Sequence, residues 1–245
     1  MTPRAVAVNV GANTNEPGFR GPIRADGSFE FVPIPEPEPT RVPVPTYADL
    51  GLDLPFELPA SVAARPVHLD PEFPELPGAE RYTYGDPYGV KARPLSELSA
   101  GDWALFYATL DAVADDPPGW QAPGWGAYLV GGFRLARDPL SGDDYRAADE
   151  ETRAVFANNA HVKRETFDAA VLLHGDPDAS ALFDRAIPLS GRSAGTEPNR
   201  LVTELSTDSG KGPWWRRPLR FDRAATAELL EIREDDALDR PFEGA

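Results

Sequence analysis

The sequence predicts an α+β fold: a curved, largely antiparallel sheet, open or barrel-like, with few helices and long N-terminal loops. Three observations carry this. Apolar runs of strand length recur at residues 5–10, 102–110 and 125–136. Helical periodicity is confined to the second half, at about 145–158 and 224–235. The 27 prolines, about twice ordinary usage, concentrate in the first 125 residues and divide that half into long ordered loops.

Taken in order, residues 5–10 (Ala-Val-Ala-Val-Asn-Val) read as a central strand, because small apolar side chains on both faces suit burial on both sides. Residues 29–34 alternate and predict a second strand. The Pro-Glu repeat over 35–39 ends it, since proline cannot donate to a ladder. Residues 35–99 lack periodicity and predict loops with short helical turns; ordered loops of that length carry function more often than they merely connect. Residues 102–110 predict a buried strand, 115–124 a Pro/Gly-rich hairpin loop, and 125–136 the antiparallel partner, with Gly131-Gly132 marking a bend or bulge. A helix is expected over about 145–158 with Asp143 or Asp144 as its cap. Short strands follow at 169–174 and 186–189, a weaker one at 201–205, and an amphipathic helix at 224–235. The expected organisation is one α+β domain over 1–235, pocket-forming at 1–100 and sheet and helix at 101–235, then an acidic tail at 236–245.

No apolar run approaches the roughly 20 residues that cross a bilayer. With no secretory pattern and no cysteine, a soluble cytoplasmic protein without disulfide or thiolate chemistry is expected. The formal net charge is −16, and Lys91, Lys163 and Lys211 are the only lysines. Such a surface predicts a halophilic protein, because strong screening relieves self-repulsion. It also disfavours duplex binding by the surface as a whole, which rests on phosphate neutralisation. The sequence has no Gly-Lys-Ser/Thr phosphate loop, no dinucleotide fingerprint, and no His-x-Glu with paired cysteines of the kind zinc deaminases use. His68, His161 and His174 show neither helical nor knuckle spacing, so no metal ligand set is read from them; a catalytic divalent ion held by carboxylates is the alternative, and the cofactor is unknown from sequence.

His68 and Asp70 stand two apart in an extended segment. On a strand they share a face, and a carboxylate near an imidazole raises its pKa and orients it for general acid–base work. Asp70-Pro71 is equally a turn start, with His68 bonded to a loop. Tyr47 and Asp49 either shape a pocket, Asp49 as a further acid, or belong to a capping box over Thr46-Tyr47-Ala48-Asp49. Asp26-Gly27 reads as a hairpin turn or as a polar contact, flanked by Arg20 and Arg24 within reach of a phosphate. Tyr84 and Asp86 are further pocket candidates. Asn159, His161, Lys163 and Arg164 follow a helix end, where the macrodipole alone favours cations; the same side chains suit base edges and phosphate. Residues 211–223 carry five basic residues against Asp222, a local +4 around Trp214-Trp215. Trp215 and Arg216 would stack and pair with an unstacked base, or the segment is a docking loop with buried tryptophans.

Together these signatures resemble the nucleotide modification associated domain 3 family. The pieces are Gly21-Pro22-Ile23 with Asp26-Gly27-Ser28, Pro33-Ile34-Pro35, Thr46-Tyr47-Ala48-Asp49-Leu50, His68-Leu69-Asp70-Pro71, Tyr84-Gly85-Asp86, Gly101-Asp102 and Asn159-Ala160-His161-Val162. Where bacterial members carry an aspartate after the first strand, this chain reads Gly11-Ala12-Asn13-Thr14-Asn15, without an acid. Members lie near DNA base-modification genes, so the resemblance implies a pathway and not a reaction. Residues 101–135 also resemble, in pattern alone, pseudouridine-synthase-associated barrel domains.

What the resemblance implies is a component of a nucleobase or DNA modification system, working on a base, nucleotide or modified DNA alongside other proteins of that system. His68, Asp70 and Asp49 are then its candidate catalytic groups. The alternatives are a noncatalytic reader of modified bases in a barrel mouth and a structural partner in a modification or defence complex. The surface charge makes a separate prediction: the thermal midpoint should rise as KCl is raised from dilute buffer to molar concentration, whereas full stability in dilute buffer would argue against salt adaptation.

Overall fold

A computed structural model describes residues 4–87, 89–235 and 238–242. The chain begins with strand β1 (Ala5–Asn9), leaves the sheet, and returns as β2 (Gly21–Ile23). Through the proline-rich stretch it forms β3 (Ile34–Pro35), a 3-10 turn at Tyr47–Leu50, the short helix α1 (Ala60–Ala63) and β4 (Val67–His68), then β5 (Thr83–Asp86) and helix α2 (Gly89–Ser96). The long hairpin β6 (Trp103–Ala112) and β7 (Trp125–Arg134) follows, with β8 (Leu140–Ser141), α3 (Gly142–Ala147), α4 (Glu150–Val155) and α5 (Ala160–Lys163) after it. Strands β9 (Val171–His174) and β10 (Ala181–Pro188), helix α6 (Arg200–Thr203), strand β11 (Leu219–Phe221) and helix α7 (Arg223–Glu234) complete it.

The fold is α+β. Its main sheet runs β10-β7-β6-β1-β11, with β2 alongside β6 beyond the end of β1. β1 and β2 run parallel to β6, while β7, β10 and β11 make antiparallel pairs. This sheet is open and does not close into a barrel. A second sheet, β5-β9-β8, and a small β3-β4 pair carry the loop-rich half.

β1 and β6 are buried on both faces, which explains their nearly continuous apolar composition. Alternation sends Val6, Val8, Ala104, Phe106 and Ala108 to one core and Ala5, Ala7, Trp103, Leu105 and Tyr107 to the other. In β7 the parity changes: Tyr128 and Val130 share the first core with Phe133 and Leu135. The register accounts for it, because Phe106 faces Gly131 while Tyr107 faces Leu129, leaving Val130 as an extra residue. The expected bulge is therefore present, beside Gly131. A Cβ at Gly131 would lie 2.5 Å from the Phe73 ring, so glycine is what lets that ring reach the strand.

Several expectations change. The strand expected over 29–34 is reduced to an isolated bridge from Phe29 to Ile23 and the two residues of β3; prolines at 33 and 35 limit the ladder. The helix expected over 145–158 is two helices, α3 and α4. Ser141, not Asp143 or Asp144, caps α3, with Asp144 closing its box, and Asp149 caps α4. The expected strand over 201–205 is helix α6, capped by Asn199. Of the tail at 236–245, residues 238–242 are described and include a 3-10 turn at Arg240–Phe242; the others lie outside the described residues. No described helix is long and apolar enough to cross a membrane.

Phe73 packs edge-on against Phe31, Phe106 and Phe133 with no exposed surface. Phe73→Ala should therefore destabilise the fold by about 3–5 kcal/mol, read from equilibrium denaturant unfolding.

Candidate functional site: a buried His–Asp–His cluster

The site begins with alternation in one short segment. Val67 and Leu69 enter a small core with Tyr47, so His68 between them is turned the other way. The Asp70 N–H donates to the His68 carbonyl at 2.9 Å, folding the chain tightly after β4. Asp70 is therefore off the strand, yet its carboxylate converges with the imidazole. The third member comes from α5: Asn159 caps that helix by accepting from the His161 N–H, and His161 projects against β5. A Cβ at Gly85 would sit 2.7 Å from His161 Cδ2, so the glycine allows ring and strand to touch.

His68, Asp70 and His161 are 5%, 8% and 3% exposed, and each offers an atom within 4.8 Å of the others. The imidazole planes meet edge-on at 4.8 Å between centroids. Their partners are not those adjacency suggests. His68 Nδ1 lies 2.5 Å from Glu36, not against Asp70. Asp70 Oδ1 accepts from the Gly85 N–H at 2.9 Å and from Asn159 Nδ2 at 3.0 Å, while Oδ2 stands 3.6 Å from His161 Nε2. His161 Nδ1 lies 2.8 Å from Asp168. Arg164 joins these groups, donating from Nε and Nη2 to Glu36 Oε1 and from Nη1 to Asp168 Oδ2.

The electrostatics follow from the partners. Burial alone would raise the Glu36 carboxyl, but His68 and Arg164 outweigh it and hold it at about 2. Burial opposes a charge on His161, yet Asp70 and Asp168 together raise its pKa. Burial also lowers the Lys91 ammonium, against the pull of Asp86 and Asp70. Tyr84, buried and donating to Asp86 Oδ2 at 3.1 Å, is held well above the usual phenol range, chiefly by its burial.

These side chains line a cavity of about 350 Å³. His68, Asp70, Tyr84, Asp86, His161 and Arg164 are on its wall, together with Asn9, Gly11, Asn13 and Lys91. Gly11 and Asn13 belong to the acid-free stretch where the chain leaves the sheet between β1 and β2. Lys91 donates to the Asn9 carbonyl at 2.7 Å, tying α2 to that exit.

Other candidates lie elsewhere. Tyr47 donates to the Pro33 carbonyl from inside its core and so braces the His68 segment from behind. Asp49 accepts from the N–H and hydroxyl of Thr46, closing the capping box. Lys163 lines a shallower depression beside Asp49. Asn159 is wholly buried and positions Asp70. Asp26 accepts from the Ser28 N–H and hydroxyl in its turn. Arg20 pairs with Asp111 and lies over Trp125, on which Trp215 also packs. Trp214 is buried, donating to the Thr196 carbonyl, and Arg216 ends that turn. None of these lines the cavity.

The sequence reading missed Glu36, Asp168 and Lys91. Pro35-Glu36-Pro37 was the available signal for the first, an acid fixed between two residues of restricted backbone; Arg164 and Asp168, four apart, offered another. Nothing local marks Lys91. The metal reading differed too. Spacing suggested no ligand set, but tertiary contact brings His68, Asp70 and His161 together, while His174 stays apart at the end of β9, packed near Phe156.

The model of the nucleotide modification associated domain 3 family matches residues 4–231. The chain belongs to this family. In this member, three of the family-like motifs, His68-Leu69-Asp70-Pro71, Tyr84-Gly85-Asp86 and Asn159-Ala160-His161-Val162, are the ones that build the cluster and its support. Over 85 residues the chain is 38% identical to one component protein of the aspartyl/glutamyl-tRNA(Asn/Gln) amidotransferase of Aromatoleum aromaticum, a match covering 34% of this chain and 17% of that protein. No solved structure matches the chain.

The depressed Glu36 pKa sets a pH window. Its ionised form stabilises the fold fully above about 4.5, and that contribution is lost as the pH falls toward about 2. Glu36→Gln should be less stable than the parent at neutral pH, and the gap should narrow across that interval, as followed by circular dichroism of acid-titrated samples.

Proposed function

We propose that this family member is an enzyme of a nucleobase-modification system that acts on a base or nucleotide held in the cavity. The observation that carries the reading is the convergence of three buried ionisable side chains, His68, Asp70 and His161, on one concave wall. Buried titratable groups with specific charge partners, grouped in a cleft, mark a candidate functional site. The cavity falls in the range that small ligands occupy, roughly 300–1,000 Å³. Its wall offers the Lys91 ammonium to an anionic group and Asp86, Asn9 and Asn13 to polar base edges. The family name supports the pathway, and the acidic surface makes a free nucleotide or an extruded base a better fit than intact duplex.

The test is mass spectrometry of digested genomic DNA and of the nucleotide pool, from cells with and without the chain. A nucleoside that depends on the chain, lost with Asp70→Asn while the melting temperature is retained, is the expected result. An unchanged profile would move the function to a noncatalytic partner.

A further inference from the structure

We propose that the cavity wall is a mononuclear site for a divalent transition-metal ion, with His68 Nε2, Asp70 Oδ2 and His161 Nε2 as ligands. Four observations converge on it, the first being the donor set. Two imidazoles and one carboxylate, each reduced to one atom, fall within 4.8 Å of one another. Each donor then needs an inward movement of under ~1 Å to reach bonds of about 2.0–2.2 Å.

The second observation is how each ligand is held. Carboxylates can only accept, so Glu36 and Asp168 require the proton on Nδ1 of His68 and His161. In the neutral ring that leaves the lone pair on Nε2. The Asp70 carboxylate is divided in the same way: Oδ1 is engaged by Gly85 and Asn159, and Oδ2 is turned toward His161. Outer carboxylates that fix the tautomer of a ligating histidine are the usual support of a metal site.

The third is a gap. Asp70 Oδ2 and His161 Nε2 are 3.6 Å apart, both buried, beyond hydrogen-bonding range. That spacing is close to the separation of two ligands on one ion, about 3.3 Å for tetrahedral bonds of about 2.0 Å. The fourth is charge. With the imidazoles neutral, as ligation through Nε2 requires, Glu36, Asp70, Asp86 and Asp168 stand against Arg164 and Lys91, four negative charges against two positive. A dication balances the difference in a setting where unbalanced charge is disfavoured.

Three protein ligands facing a cavity leave positions for water or substrate, as catalytic rather than structural sites do. The nitrogen-rich set selects zinc, iron(II) or cobalt(II) over magnesium or calcium. The inference rests on the same cavity as the proposed function, but its readout is metal, so either can fail without the other.

The experiment titrates chelator-stripped full-length chain with Zn²⁺ by calorimetry and with Co²⁺ by visible absorption, with Mg²⁺ as control. One Zn²⁺ per chain is expected, with a cobalt ligand-field band and no Mg²⁺ uptake. His68→Ala and His161→Ala should each weaken Zn²⁺ by more than ~10-fold, and Asp168→Asn, at the half-buried edge, by ~10–100-fold. Circular dichroism checks that each variant is folded; if an alanine variant fails to fold, Asp168→Asn and the cobalt spectrum of the parent decide. Absence of stoichiometric Zn²⁺ or Co²⁺ uptake, or unchanged Zn²⁺ affinity in the folded variants, overturns the site.

Discussion

Glu36 is the residue on which the geometry of the cavity depends. One carboxylate oxygen meets His68, and the other accepts two N–H groups of Arg164. Arg164 in turn reaches Asp168, which holds His161. A chain of charge-assisted contacts thus joins the end of β3, strand β4, helix α5 and the loop beyond it. Removing one member would leave its neighbours charged and buried, a far larger penalty than the net worth of an intact pair. That asymmetry makes the network a positioning device: it holds only if every element arrives in place.

The elements that arrive were legible to different degrees, and the reasons are physical. Strands β1, β6 and β7 announce themselves because double burial forces apolar runs, and the glycine pair in β7 marks its bulge. Helix α7 was equally plain, since Ala225, Leu229 and Ile232 repeat at the spacing of one helical face. The strand expected at 201–205 failed for the opposite reason. Asn199 starts a helical turn there, a capping signal that the apolar Leu201, Val202 and Leu205 concealed. The barrel-like alternative could not be judged from sequence, because closure depends on which strands become edges.

The site shows the same division. His68, Asp70 and Asp86 were singled out by residue type and by adjacency to backbone-fixing neighbours, His161 as one of a polar group at a helix end, and they do share a wall. Their partners were invisible. Asp70 stands two residues from His68 but faces His161, and His68 answers to Glu36 across the β3–β4 pair. Sequence proximity reports which groups share a segment, whereas side-chain direction is decided by the small core behind it, where Tyr47, Val67 and Leu69 turn His68 outward.

The two imidazoles each have Nδ1 committed to a carboxylate, His68 to the buried Glu36 and His161 to Asp168 on the cavity wall. A ring flip would break that contact, so the orientation of each ring is set by its carboxylate partner. Whatever enters meets side chains already held by their partners. Recognition here should behave as lock-and-key docking, with little rearrangement of the wall between empty and filled forms.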